Sequence, residues 1–365
     1  MTKTGLPTRR GALALLGAMA LLPSGPSLAQ ETGKRSQRDI SLHIARELVI
    51  PQYRALADAM GRQAAAWRAF RAKPGAGTEA VKAAYQDAAD AWSAAEDIRS
   101  GPIAEDNRYE RMAHWPERRN AVSRALASLL AGEEPITPER LRRASVAGQG
   151  LTALERLLYG EREGGAAAAA RELAASTPAG ARRRELGLAI AEGLDRIANE
   201  VLAAWTGPEL ARWEKASPDE ARENLTRLAT DHLATLEVIQ DAKINTVLSK
   251  DPDETRPLLA EGWRSGRSLR AIRINLEAAE AFIRAALAHD DERLPGAVAG
   301  FATARSLADG LAGQSLPIGQ LAADRAGRMR LVLLRDAVGS AREVSGPALS
   351  EGLDVTIGFN SQDGD

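Results

Sequence analysis

The chain has 365 residues, enough for two ordinary cores, and a 44% hydrophobic content in which six Trp, four Tyr and four Phe are the only aromatics. Abundant Ala and Leu favour close helix packing over sheets, and the lack of cysteine excludes disulfides, thiolate metal sites, c-type haem attachment and a lipid-bearing cysteine. A formal net charge of −1, with no basic face interleaved with aromatics, argues against nucleic-acid binding.

Residues 1–29 read as a signal peptide: Lys3, Arg9 and Arg10 form a basic start, Gly11 to Leu22 an apolar core, and Ser27-Leu28-Ala29 a small-residue cleavage site. Thr8-Arg9-Arg10 resembles a twin-arginine export signal, with general secretion as the other route. The apolar run is too short to span a bilayer comfortably, so no transmembrane segment is expected after cleavage. Removing Lys3, Arg9 and Arg10 with this segment lowers the formal charge by three, from −1 to −4. A periplasmic protein is the expected product.

Residues 30–37 are polar and expected to be flexible. A long helix follows, with Ile44, Leu48, Leu56, Met60 and Trp67 on one face, and Pro51 should kink or break it early. Thr78 should cap a second helix running through Val81, Tyr85 and Trp92 towards Gly101-Pro102. An irregular stretch with Tyr109 and His114-Trp115-Pro116 leads to a helix from about Arg118 to Leu130. Thr137-Pro138-Glu139 is an N-cap followed by proline, which places Glu155 late in a helix ending near Gly160.

Residues 163–180, with Gly164-Gly165 and an alanine run that can itself be helical, read as a linker between an N-terminal bundle at 38–162 and a C-terminal bundle at 181–365. The second half should contain helices at about 181–205, 221–247, 266–287, 293–311 and 317–342 before the tail Gly358-Phe359-Asn360. The fold class is therefore all-α, two helical-bundle domains. Ala64-Ala-Ala-Trp67 and Val201-Leu-Ala-Ala-Trp205 echo each other and suggest an internal duplication.

Glu155 stands out chemically. On its helix Ala147, Leu151, Leu154 and Leu158 make an apolar arc, and Glu155 falls at the edge of that arc beside Gly148, Thr152 and Tyr159. Burying an unpaired charge is very costly, so Glu155 should pair with an arginine such as Arg118, Arg267 or Arg270, bind a metal, or open onto a wet cleft. Arg264, Arg267, Arg270 and Arg273 recur every third residue, as a solvated or bridging face or as a ridge for an anionic ligand such as a carboxylate or haem propionate. Trp115 and Trp263 can offer flat apolar contacts or seal a core.

The four histidines form no zinc pattern. His43 and Glu47 share a face that should be solvated, and His232 lies on an apolar stripe as a hydrogen-bonded core histidine. His114 is a candidate lining residue of the irregular segment, and His289 is expected at a helix end, satisfying its last carbonyls. Carboxylate pairs such as Asp87 with Asp90, or Glu277 with Glu280, should be solvated. No zinc-peptidase HExxH, serine elbow, phosphate loop or dinucleotide fingerprint is present.

Several motifs in order resemble the imelysin family of periplasmic two-domain helical proteins, related to iron-regulated and iron-uptake proteins. They are Val49-Ile-Pro51-Gln-Tyr53, Ala91-Trp92 with Ile98-Arg-Ser-Gly101-Pro102, Trp115-Pro116-Glu-Arg118-Arg119-Asn120, Gly148-Gln-Gly150-Leu-Thr152-Ala-Leu-Glu155-Arg-Leu-Leu-Tyr159-Gly160, Trp263-Arg-Ser-Gly266-Arg-Ser-Leu269-Arg270, and the Gly358-Phe359-Asn360 tail. The family hallmark is glycine, any residue, histidine, two of any residue, then glutamate. Here Gly150 and Glu155 match while Thr152 replaces the histidine. A neutral hydroxyl is a poor metal ligand and a poor general base, which points away from the metallopeptidase chemistry of the family name.

The resemblance implies a binding or accessory protein of iron or haem acquisition, with no catalytic residues. Its ligand site should lie in an interdomain cleft built by Gly150, Thr152, Glu155, Trp115, Pro116, Arg118, Arg267 and Arg270. No cofactor is required, though Glu155 can bind iron or another divalent metal. Its counterpart would be a small ligand, a metal, or a periplasmic or outer-membrane protein. Two alternatives are a metal-dependent peptidase that recruits His114 or His232 to Glu155, and an interaction scaffold with Glu155 closed by an arginine.

Overall fold

The computed structural model describes residues 35–358 apart from 163, 252, 253, 289, 290 and 315. The expected signal peptide, His289 and the tail from Phe359 onward lie outside the described residues. Among the described residues every regular element is helical.

Pro51 does not break the first helix. α1 (Gln37–Ile44) continues through a wider π-helical turn at 45–49 into α2 (Ile50–Ala72), with Pro51 in the first turn of α2. Proline has no N–H for the helical ladder, and the wide turn before it accommodates the missing bond. Tyr53, Leu56, Met60 and Trp67 form the buried face of α2. α3 (Glu79–Ala95) packs back on α2, burying Val81, Tyr85 and Trp92.

The stretch expected as one helix leading to Glu155 is divided. After α4 (Ala121–Ala131), Thr137 caps α5 (Pro138–Arg143) by accepting from the Arg140 N–H at 3.2 Å. Ala144 is extended, and a new helix, α6 (Leu151–Tyr159), starts after Gly150. Glu155 thus lies in the middle of a short helix rather than late in a long one. The alanine run forms α7 (Ala166–Ala174).

α8 (Pro178–Thr206) lies along α2. A Cβ at Gly187 would sit 2.2 Å from the Trp67 ring, so the indole occupies its place only because residue 187 has no side chain. The two helices of the Ala–Trp echo are therefore packing partners. A short helix, α9 (Pro208–Glu214), follows.

α10 (Pro218–Glu237) begins with a Ser217–Glu220 capping box and passes into a π-helical segment at 238–245. α11 (Ser268–Ala286) and α12 (Leu294–Ala312) pair, and the segment expected at 317–342 divides at Asp324 into α13 (Ile318–Ala323) and α14 (Arg325–Leu353). Asp324 caps α14 by accepting from the Gly327 N–H at 2.8 Å. α14 packs on α10 and α12, α1 on α10 and α11, and α3 on α11. No described helix is long and apolar enough to cross a membrane.

Candidate functional site

A cleft of about 850 Å³ opens where α3, α6 and the Trp115-Pro116 segment face the 258–267 stretch before α11. Of the residues expected there, Trp115, Pro116, Thr152, Glu155 and Arg267 line it, whereas Gly150, Arg118 and Arg270 do not.

Gly150 acts beneath the cleft. A Cβ there would lie 2.8 Å from the Met112 carbonyl oxygen and 3.0 Å from that of Arg111. The bare backbone lets α6 start against the irregular segment that carries Trp115. Trp115 and Pro116 are joined by a cis peptide bond, and Trp115 donates from Nε1 to the Leu259 carbonyl at 3.4 Å.

Glu155 is 3% exposed, and its partner is not an arginine. Its Oε1 accepts from the Ser265 backbone N–H at 2.9 Å and from the Ser265 hydroxyl at 2.6 Å. The three candidate arginines are engaged or placed elsewhere. Arg267 reaches Asp90 at 2.8 Å, Arg270 donates from Nε to the same carboxylate at 2.8 Å, and Arg118 is exposed outside the cleft lining. Asp90 is therefore an ion-pair hub rather than a solvated carboxylate. Glu280 likewise pairs with Arg284 at 2.7 Å and Arg305 at 2.6 Å.

The evenly spaced arginines do not form a ridge, because α11 starts only at Ser268. Arg264 and Arg267 precede it in a turn-rich loop, and Arg273 pairs along the helix with Glu277. That loop is held along its length. Gly262 has a positive φ of 60°, a conformation disfavoured for other residues, and its carbonyl accepts from the Arg267 N–H at 3.0 Å. Gln86 donates to the Ser265 carbonyl at 3.4 Å, and Ser268 donates to that of Glu261 at 2.5 Å. Glu155 thus anchors the loop to α6, which sets Trp263 and Arg264 at the cleft.

Sequence reasoning missed a deeply buried charge nearby. Lys243, 3% exposed on the π-helical segment, places Nζ at 2.7 Å from each of Glu96 Oε1, Glu261 Oε2 and Asn275 Oδ1. Burial opposes its charge, but Glu261 and Glu96 outweigh that effect and raise its pKa. The Trp115 ring lies 5.7 Å from the ammonium. The signal was available: Lys243 sits between Ile239, Ile244 and Val247, an anomaly of the same kind as Glu155. Nothing local marked Ser265 or Asp90, since their roles depend on partners over a hundred residues away.

The residues present do not supply a metal's ligand set. Thr152 offers only a neutral hydroxyl, Glu155 Oε1 is engaged by Ser265, and no group of three or more His, Asp or Glu among the described residues is arranged to hold an ion. His232 is fully buried and stacks on Phe282 with ring centroids 4.9 Å apart. Neither ring nitrogen has a hydrogen-bond partner, which corrects the expectation of a hydrogen-bonded histidine, and burial pushes its pKa down to about 3. His43 and Glu47 are exposed, and His114 is half-buried and outside the cleft lining.

A family model described as Imelysin matches residues 49–342. An imelysin-like protein from Psychrobacter arcticum 273-4 shares the fold with a TM-score of 0.63 at 17% identity, over 88% of this chain and 97% of that one. A protein named as an iron-regulated protein A precursor from Parabacteroides distasonis ATCC 8503 gives a TM-score of 0.65 at 14% identity, again over 88% and 97%. No match is found among curated proteins.

Proposed function

Because the chain belongs to the imelysin family, we propose that it is an exported periplasmic binding or accessory protein of iron or haem acquisition, with its ligand site in the cleft beside Glu155. The observation that carries this reading is the cleft itself: about 850 Å³, within the range of small-ligand sites, with Trp115, Trp263 and Leu259 as apolar walls beside Thr152, Glu155 and Arg267. The link to iron rests on the name of the Parabacteroides neighbour and on the family resemblance. The ligand would be an organic iron carrier or haem held by the walls, because Glu155 and Thr152 do not make an ion cage.

The open cleft favours this reading over a scaffold closed by an arginine. A peptidase reading receives no support from the histidines, since His232 is enclosed by Phe282 and Phe301 and His114 stands outside the cleft lining. Calorimetric titration of haem and of ferric citrate into the purified protein and a Thr152→Trp variant, which fills the cleft, tests the proposal. Binding to the first and loss in the second are expected. Absence of binding, or equal binding to both, would overturn it.

A further inference from the structure

Arg264 carries a largely enclosed guanidinium with few direct partners. Its side chain is only 10% exposed, and among the described residues the one carboxylate within ion-pair reach is Glu161, at 3.7 Å. Glu161 Oε2 is already committed: it accepts from Arg156 at 2.6 Å and from Ser123 at 2.9 Å. Arg156 is also paired with Glu117. The Arg264 Nε is buried with no hydrogen-bond partner, and its guanidinium lies 4.2 Å from the Trp263 ring centroid. Burial and the nearby Arg156 charge act against the protonated form, and outweigh the opposing effect of the Glu155, Glu161 and Glu117 carboxylates. A guanidinium held in place on the Trp263 ring, with no carboxylate of its own at hydrogen-bond distance among the described residues, is free to take an anion from outside the chain.

Its position indicates the rest of the ligand. Arg264 and Trp263 line the cleft and also a second cavity of about 460 Å³. The walls of that cavity include Leu258, Leu269, Leu316 and Ile318, and Leu258 is 59% exposed and Leu316 44% exposed. Large exposed apolar side chains next to an under-paired guanidinium match a molecule with an apolar body and one acidic end.

We infer that the site takes an amphipathic organic carboxylate, its carboxylate on Arg264 and its apolar body across Trp263 and Leu258. Guanidinium and carboxylate are matched for two parallel N–H···O bonds, which lysine cannot reproduce. This rests on the cleft reading above and adds the chemical class of the ligand.

The probe is 2-naphthoate, with 2-naphthylmethanol as its uncharged analogue, titrated by calorimetry into the wild type and into Arg264→Gln, Arg264→Lys and Thr152→Trp. Circular dichroism of each variant establishes that it is folded. Naphthoate should bind the wild type, weaken by about tenfold or more in Arg264→Gln and show an intermediate loss in Arg264→Lys, while the weaker binding of the alcohol is insensitive to residue 264. Naphthoate binding that is lost in Thr152→Trp but unchanged in Arg264→Gln would overturn the carboxylate assignment and leave the cleft intact. Binding unchanged in Thr152→Trp would remove the cleft itself, and no binding to the wild type would overturn the inference.

Discussion

Glu155 and Ser265, 110 residues apart, are joined through a single carboxylate oxygen that accepts both the serine N–H, at 2.9 Å, and its hydroxyl, at 2.6 Å. Glu155 here therefore holds a loop. That loop presents Trp263 and Arg264, so Glu155 shapes the cleft even before it meets any ligand.

Glu155→Ala should leave the Ser265 donors without their acceptor and cost about 1–3 kcal/mol, while Glu155→Gln, which keeps an acceptor oxygen, should cost less. Urea denaturation gives the stability. Hydrogen exchange should accelerate at residues 261–267 in the alanine variant, and unchanged exchange there would refute the anchoring role.

Gly150→Ala tests the close backbone approach beneath the cleft. Its methyl group would meet the Met112 carbonyl at 2.8 Å, and forcing the backbones apart should cost about 1–3 kcal/mol. A denaturation midpoint equal to that of the wild type would show that Gly150 is not needed for this approach.

Lys243→Met leaves Glu96 and Glu261 buried without their shared cation and should cost about 3–5 kcal/mol. Adding Glu261→Gln removes one of the stranded charges, so the double variant should be more stable than additivity of the two single losses allows. A double-mutant cycle with no coupling energy would contradict the network.

Two buried groups should tilt stability with pH in opposite directions. Burial, with Asp231 and Glu96 nearby, raises Asp97 from 3.8 to about 7 against the opposing effects of Thr235 and Arg99. The folded state then holds a proton that the unfolded state releases, so this group destabilises the protein progressively from pH 3.8 to about 7 and at a constant level above. His232 falls from 6.5 to about 3, so its contribution is constant above pH 6.5 and is lost as pH falls to about 3. Asp97→Asn should flatten the first slope and His232→Leu the second in urea titrations across this range. Parallel wild-type and variant curves would exclude each group as the source.

Much of the fold was legible from local signals. Ala-rich apolar spacing fixed helix after helix, Thr137 and the Gly/Pro clusters marked their ends, and the apolar arc around Glu155 showed a carboxylate in the wrong place. Local signals failed where a break depends on something distant. α6 starts just after Gly150, where the Arg111 and Met112 carbonyls pass too close for a side chain, and helical periodicity carries no trace of that contact.

The candidate site divides in the same way. By itself the sequence determined the helical class, the family and the residues that are chemically out of place, because these follow from side-chain character and spacing along one chain. Only the tertiary structure decided the pairings: Ser265 rather than an arginine for Glu155, Asp90 for Arg267 and Arg270, three oxygen partners for Lys243, and few direct partners for Arg264. A buried charge must be compensated, but which group does so is set by proximity after folding, and several equally suitable arginines competed in the sequence for one carboxylate.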